Sequence, residues 1–171
     1  MALRRSRVRI PLGPQEKANR STDTESGLCL RRFEMEKGLQ PTLQEIEALT
    51  AFLPRLYAQD FSPVTSWEGG KREGGTFTLP YPKYNRVVEE FFHIVASEGW
   101  IDYDYDPEQA SKMLKDENWV KTASLSQIKT MLTFCLRGER FSDGHWAKMI
   151  EEGYVRRLLG RLNEFKSEQL P

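Results

Sequence analysis

Arg137, Glu139, Arg140, Asp143 and His145 fall within nine residues, a grouping that could carry acid–base chemistry. Glu139 could act as a general base or orient His145, while Arg137 or Arg140 could hold an anionic substrate. His145 stands at the start of an expected helix, where the dipole lowers the imidazole pKa. Glu139 is also out of place. Leu125, Ile128, Leu132 and Cys135 form one apolar stripe on a helix, and Glu139 is the next member of the same i, i+3/i+4 series. A carboxylate at a core position needs a partner. The structural reading pairs it with Arg140, Arg157 or Arg161 and leaves Asp143 to cap the next helix. That reading is preferred, because buried charges are usually paired and a lone His lacks a nucleophile or metal partner.

Three other patterns are weaker. Gly69-Gly70 and Gly74-Gly75 bracket Lys71-Arg72-Glu73, offering amides and cations as a phosphate cradle would. The loop lacks the Gly-Lys-Ser/Thr ending and the strand-to-helix context of a P-loop, so a hairpin tip is the better account. Asp102-Tyr103-Asp104-Tyr105-Asp106 imitates the start of a calcium loop, but Pro107 stands where the glycine must be and Met113 where the closing glutamate must be. With two histidines in the chain, no metal site and no cofactor are expected. Trp and Tyr side chains could stack bases, yet without a basic stripe the electrostatic attraction that dominates nucleic-acid affinity is missing.

The elements that must position these residues are mostly helical. Thr42-Leu43-Gln44-Glu45 is a capping box opening a helix with Leu43, Ile46, Leu49 and Leu53 on its apolar face, kinked or ended by Pro54. Phe77, Leu79 and Tyr81 alternate with Thr76, Thr78 and Pro80, which predicts the second strand of a short β-hairpin between Val64 and Pro82; Pro80 and Pro82 confine it to an edge. A helix follows from Lys83 to Glu98, with Val87, Val88, Phe91, Phe92, Ile94 and Val95 on its apolar face, His93 opposite and Gly99 ending it. Asp106 caps a helix through Lys115, Ser124 caps one running to about Phe141, and Ser142 or Asp143 caps another from His145 to Glu152. Gly153 separates the last, whose stripe is Val155, Leu158, Leu159, Leu162 and Phe165. The expected fold is mainly α: a single small helical domain of five to six helices with one short β-hairpin.

Charge is distributed unevenly. The 25 basic and 25 acidic residues balance overall, but residues 1–34 hold eight basic residues against four acids, leaving a net of −4 on the rest. Arg7-Val8-Arg9-Ile10-Pro11 can be encoded by a run typical of the T arm of tRNA genes. Residues 1–34 therefore read as a disordered leader produced by spurious upstream translation, with Met35 as the true start and 35–171 as a single helical domain. A gene placed just after a tRNA gene would be mobile-element cargo. No apolar run reaches the ~18 residues a membrane span needs, so a cytoplasmic protein is expected. Cys29 falls in the leader and Cys135 on an apolar face, which offers neither a disulfide framework nor a thiolate.

Lys129, Leu132-Thr133, Arg137-Gly138-Glu139-Arg140-Phe141, Gly144, Gly153 and Arg161-Leu162 form a pattern that resembles the C-terminal signature of a prokaryotic family catalogued as domain of unknown function 6508. Leu79-Pro80-Tyr81-Pro82 with Tyr84, and the segment Trp100 to Pro107, are similar to its middle. The likeness spans about residues 43–166, departing at Gly138, where Gln is expected, and at Ser142, where Cys is expected. It implies a helical domain and transfers no catalytic residue. The preferred function is a non-enzymatic interaction or accessory module of a prokaryotic cytoplasmic protein, with a protein partner or self-association and no nucleic acid or membrane. The alternative is a small hydrolase-like enzyme using Glu139 and His145 with Arg137 or Arg140.

Overall fold

Helix starts here are encoded locally, by side chains that replace the amide partners a first turn lacks. The computed structural model describes residues 40–71, 75 and 77–169; the expected leader and the charged hairpin tip lie outside them. Helix α1 (Leu43–Thr50) opens on Thr42, whose hydroxyl accepts from the Glu45 amide while the Glu45 carboxylate accepts from the Thr42 amide. Pro54 does not simply end it. The proline sits in the first turn of a separate short helix, α2 (Leu53–Leu56), where a missing N–H costs nothing.

Strands β1 (Val64–Lys71) and β2 (Phe77–Tyr84) form an antiparallel two-stranded sheet. Asn85 then caps α3 (Arg86–Val95), its side chain accepting from the Val87 amide at 3.0 Å. This corrects the expected start at Lys83, because Lys83 and Tyr84 belong to the sheet. Helices α4 (Pro107–Lys115), α5 (Glu117–Thr122) and α6 (Leu125–Arg137) follow. Asp116 ends α4 and caps α5, its carboxylate accepting from Asn118 and Trp119. Ser124 and Gln127 form the capping box of α6. After a 3-10 turn (Gly138–Arg140), α7 (His145–Glu151) and α8 (Tyr154–Gln169) complete the domain. The described residues thus hold eight α-helices, against the five to six expected, the excess being the short α2 and α5.

One core joins these helices. Helix α1 packs along α8 through Ile46, Leu49, Leu158, Leu159 and Leu162, and α6 contributes Ile128, Met131, Leu132 and Cys135 where α3, α4, α7 and α8 meet it. Phe91, Trp100 and Leu159 are fully buried. Each large side chain taken from water is worth roughly 1.5–3 kcal/mol, so this shared interior outweighs the modest propensities of the shorter helices. Burial also silences Cys135, whose thiol pKa is pushed up to about 12.

Candidate functional site: the hairpin and the turn that anchors it

The α6 apolar stripe does not continue through Glu139. The helix stops at Arg137, and the tighter Gly138–Arg140 turn rotates Glu139 out of the core series to a half-buried position. Its partner is not an arginine, as the structural reading expected. Oε1 accepts from the Gly144 amide at 3.0 Å and Oε2 from the Trp146 amide at 2.9 Å. The carboxylate caps α7 from outside, a role the sequence reading gave to Ser142 or Asp143. A negative charge facing the amides at a helix start is favourable both as a hydrogen-bond acceptor and toward the dipole. Among the described residues, Glu139 forms no ion pair.

Two glycines make the turn possible. Gly144 has φ +86°, and a Cβ there would also meet the Trp67 ring of β1 at 3.1 Å. At position 138 a Cβ would land on the His145 imidazole. The ring packs against Phe134 with centroids 5.7 Å apart, and its Nε2 is buried without a hydrogen-bond partner. Burial lowers the His145 pKa and Lys148 adds to this, while Glu139 and Glu152 oppose it. A half-buried imidazole wedged against a glycine with its Nε2 enclosed is a packing residue by its surroundings.

The candidate acid–base groups therefore separate. Glu139 and Arg140 line a groove of about 660 Å³ with Glu89, Phe92, His93 and Trp146. His145 faces a smaller cavity of about 150 Å³ bounded by Phe134, Lys148 and Tyr154. Arg137 turns to the Asp102–Asp106 segment, its guanidinium 5.0 Å from the centre of the Tyr105 ring and 6.0 Å from that of Tyr103. Asp143 is exposed. The histidine that shares a cavity with Glu139 is His93, exposed as its helical phase implied but not set aside from the groove. Among the described residues, no three His, Cys, Asp or Glu side chains converge as a metal site.

The turn anchors the hairpin. The Trp146 indole donates to the Leu136 carbonyl at 3.0 Å, stacks on Phe92 at 4.5 Å and meets the Tyr84 ring at 5.1 Å. The Tyr84 hydroxyl is buried facing Glu139 without a hydrogen bond of acceptable geometry; burial raises its pKa, and the neighbouring carboxylate raises it further. Tyr84 and Trp67 thus hold the inner side of the sheet. Phe77, Leu79 and Tyr81 alternate onto the outer side, where Tyr81 donates to Glu68 at 3.0 Å and Lys83 approaches the same carboxylate at 3.9 Å. Phe77 is 63 % exposed and Leu79 73 %. The bulge at Gly69, φ +107°, brings its backbone so close to the Leu79 carbonyl that a Cβ would lie 2.6 Å from it.

A family model matches residues 41–168 and is described as a family of unknown function, DUF6508. The chain belongs to that family. No curated protein and no solved structure matches it. The DUF6508 match spans the elements described up to the last residue of α8, the hairpin and its anchoring turn included, and assigns them no activity. Among the described residues of this DUF6508 domain, no helix is long and apolar enough to cross a membrane.

Proposed function

We propose that this DUF6508 domain is a non-enzymatic interaction module of a prokaryotic cytoplasmic protein, and that the outer side of the hairpin receives a protein partner. The observation that carries this reading is the exposure of Phe77, Leu79 and Tyr81 in one row on a two-stranded sheet. A two-stranded sheet has little stability of its own, and this one leaves three large side chains, Phe77, Leu79 and Tyr81, side by side in water. Covering such a row gains roughly 25 cal/mol per Å² of apolar area, which favours an extended or flat partner surface. The commitment of Glu139 to two backbone amides supports the same reading, since it supplies a structural reason for that acid.

The hydrolase-like alternative retains one support, the groove shared by Glu139, Arg140 and His93. A photocrosslinking residue in place of Leu79, introduced in the native cell, separates the two. The expected outcome is one discrete adduct whose partner, once purified, binds the domain saturably and loses affinity with Phe77→Ser. A folded protein with no partner sensitive to Phe77→Ser would remove the hairpin from this role.

A further inference from the structure

Arg140 differs from every other arginine among the described residues. Arg55, Arg86, Arg157 and Arg161 pair with carboxylates, while Arg137 and Arg156 lie over tyrosine rings. The Arg140 guanidinium has neither kind of partner among the described residues, and it is exposed at the groove of about 660 Å³. A planar cation with five N–H donors is built to hold a carboxylate through two parallel hydrogen bonds.

The groove offers apolar surface beside that cation. Phe92 of α3 and Ala96 just after it, Leu136 near the end of α6 and Trp146 of α7 all line it. Glu89, Phe92, His93 and Ala96 are spaced i, i+3, i+4 and i+7, so one stripe of the helix runs along about 10 Å of the groove. The volume is within the range of small-molecule sites.

Two acids also line the groove, and the fold accounts for both. Glu139 gives its two oxygens to the Gly144 and Trp146 amides, and Glu89 sits in the first turn of α3, where the helix start favours a negative charge. Arg140 has no such structural reason. The same acids limit what Arg140 can hold, because a doubly charged phosphate would meet two like charges with one guanidinium to offset them. A cation would meet Arg140 itself. A single carboxylate on an apolar body satisfies the guanidinium and covers the walls.

We propose that this groove binds a hydrophobic monocarboxylic acid, its carboxylate on the Arg140 guanidinium and its apolar body against Phe92, Ala96, Leu136 and Trp146. The proposal is independent of the hairpin reading, involves none of the exposed hairpin residues and asks no chemistry of Glu139.

The test titrates octanoate and cinnamate, an aliphatic and an aromatic acid, into the full chain at up to millimolar concentration. Thermal shift and the NMR signal of the Trp146 indole N–H are the readouts. Octanamide and cinnamamide keep the body without the charge, and acetate keeps the charge without the body. At least one of the two acids should raise Tm and move the Trp146 signal, with its amide and acetate binding about 10-fold or more weakly; the tighter acid identifies the body the groove prefers. Arg140→Gln, which alters an exposed side chain with no partner to lose, should weaken binding by about 10-fold or more. Ala96→Trp, which fills the groove from an exposed wall, should abolish it, and Glu89→Gln should leave it unchanged or tighter. Absence of binding by either acid, equal binding of acid and amide, indifference to Arg140→Gln or to Ala96→Trp, or a loss of affinity in Glu89→Gln would each overturn the proposal.

Discussion

The helices and the hairpin use the same kinds of residue in opposite ways. Phe91 on α3 is 0 % exposed and Leu79 on β2 is 73 % exposed, although only Asn85 separates the two elements. Helical apolar faces in this protein meet one another across a shared core, which buries most of their large side chains. The sheet has only two strands, and its inner side is partly covered where Tyr84 and the edge of Trp67 meet the turn at Gly144 and Trp146. The difference teaches where stability resides and, on the function proposed above, where recognition does. The helices supply the folding free energy, and the hairpin presents apolar surface that folding has no use for.

Substitutions should divide along that line. Phe91→Ala leaves a cavity in the interior and should cost about 3–5 kcal/mol in equilibrium unfolding. Gly138→Ala tests the joint between the regions. Its Cβ collides with the His145 ring, so the expected cost is about 1–3 kcal/mol. Adding His145→Ala should recover part of that loss, and strictly additive effects would show that the ring moves aside freely.

Acid sensitivity is expected from the same joint. The folded-state pKa of His145 lies below its unfolded value of about 6.5, so the unfolded chain takes up the proton first. Its contribution is therefore present above about pH 6.5 and is lost as the pH falls below that value. Denaturation midpoints at neutral and mildly acidic pH should converge in His145→Gln relative to the parent protein.

The smallest stability effect belongs to the hairpin. Leu79→Ser should change folding by less than about 0.5 kcal/mol, as surface substitutions generally do. Its partner affinity should nevertheless fall by about 10-fold or more, and a large loss of stability instead would place Leu79 in the folding core.

Much of this architecture is legible in the sequence where the cause is local. Thr42 with Glu45, and Ser124 with Gln127, announce helix starts because both partners sit three residues apart. The apolar stripes of α3, α6 and α8 predict the core, and the alternation Phe77, Leu79, Tyr81 predicts the second strand. Periodicity misleads at Glu139, since extending the stripe assumes an unbroken α-helix and Gly138 begins a tighter turn. Helix α5 has one buried residue, Val120, and so gives almost no stripe to read. The polar side of α6 is the least legible feature. Lys129 and Thr133 look like an ordinary solvated face until the Asp102–Tyr105 segment folds over them.

The central claim is that Glu139 is committed to holding the start of α7 and, through it, the platform of the hairpin. Amide hydrogen exchange of Gly144 and Trp146 tests it most directly. In Glu139→Ala both amides should lose protection together, with a loss of about 1–3 kcal/mol in stability, and Glu139→Gln should fall between that variant and the parent protein. Unchanged protection at both amides, with stability restored by removing Arg140, Arg157 or Arg161, would instead make Glu139 the acid of a buried ion pair.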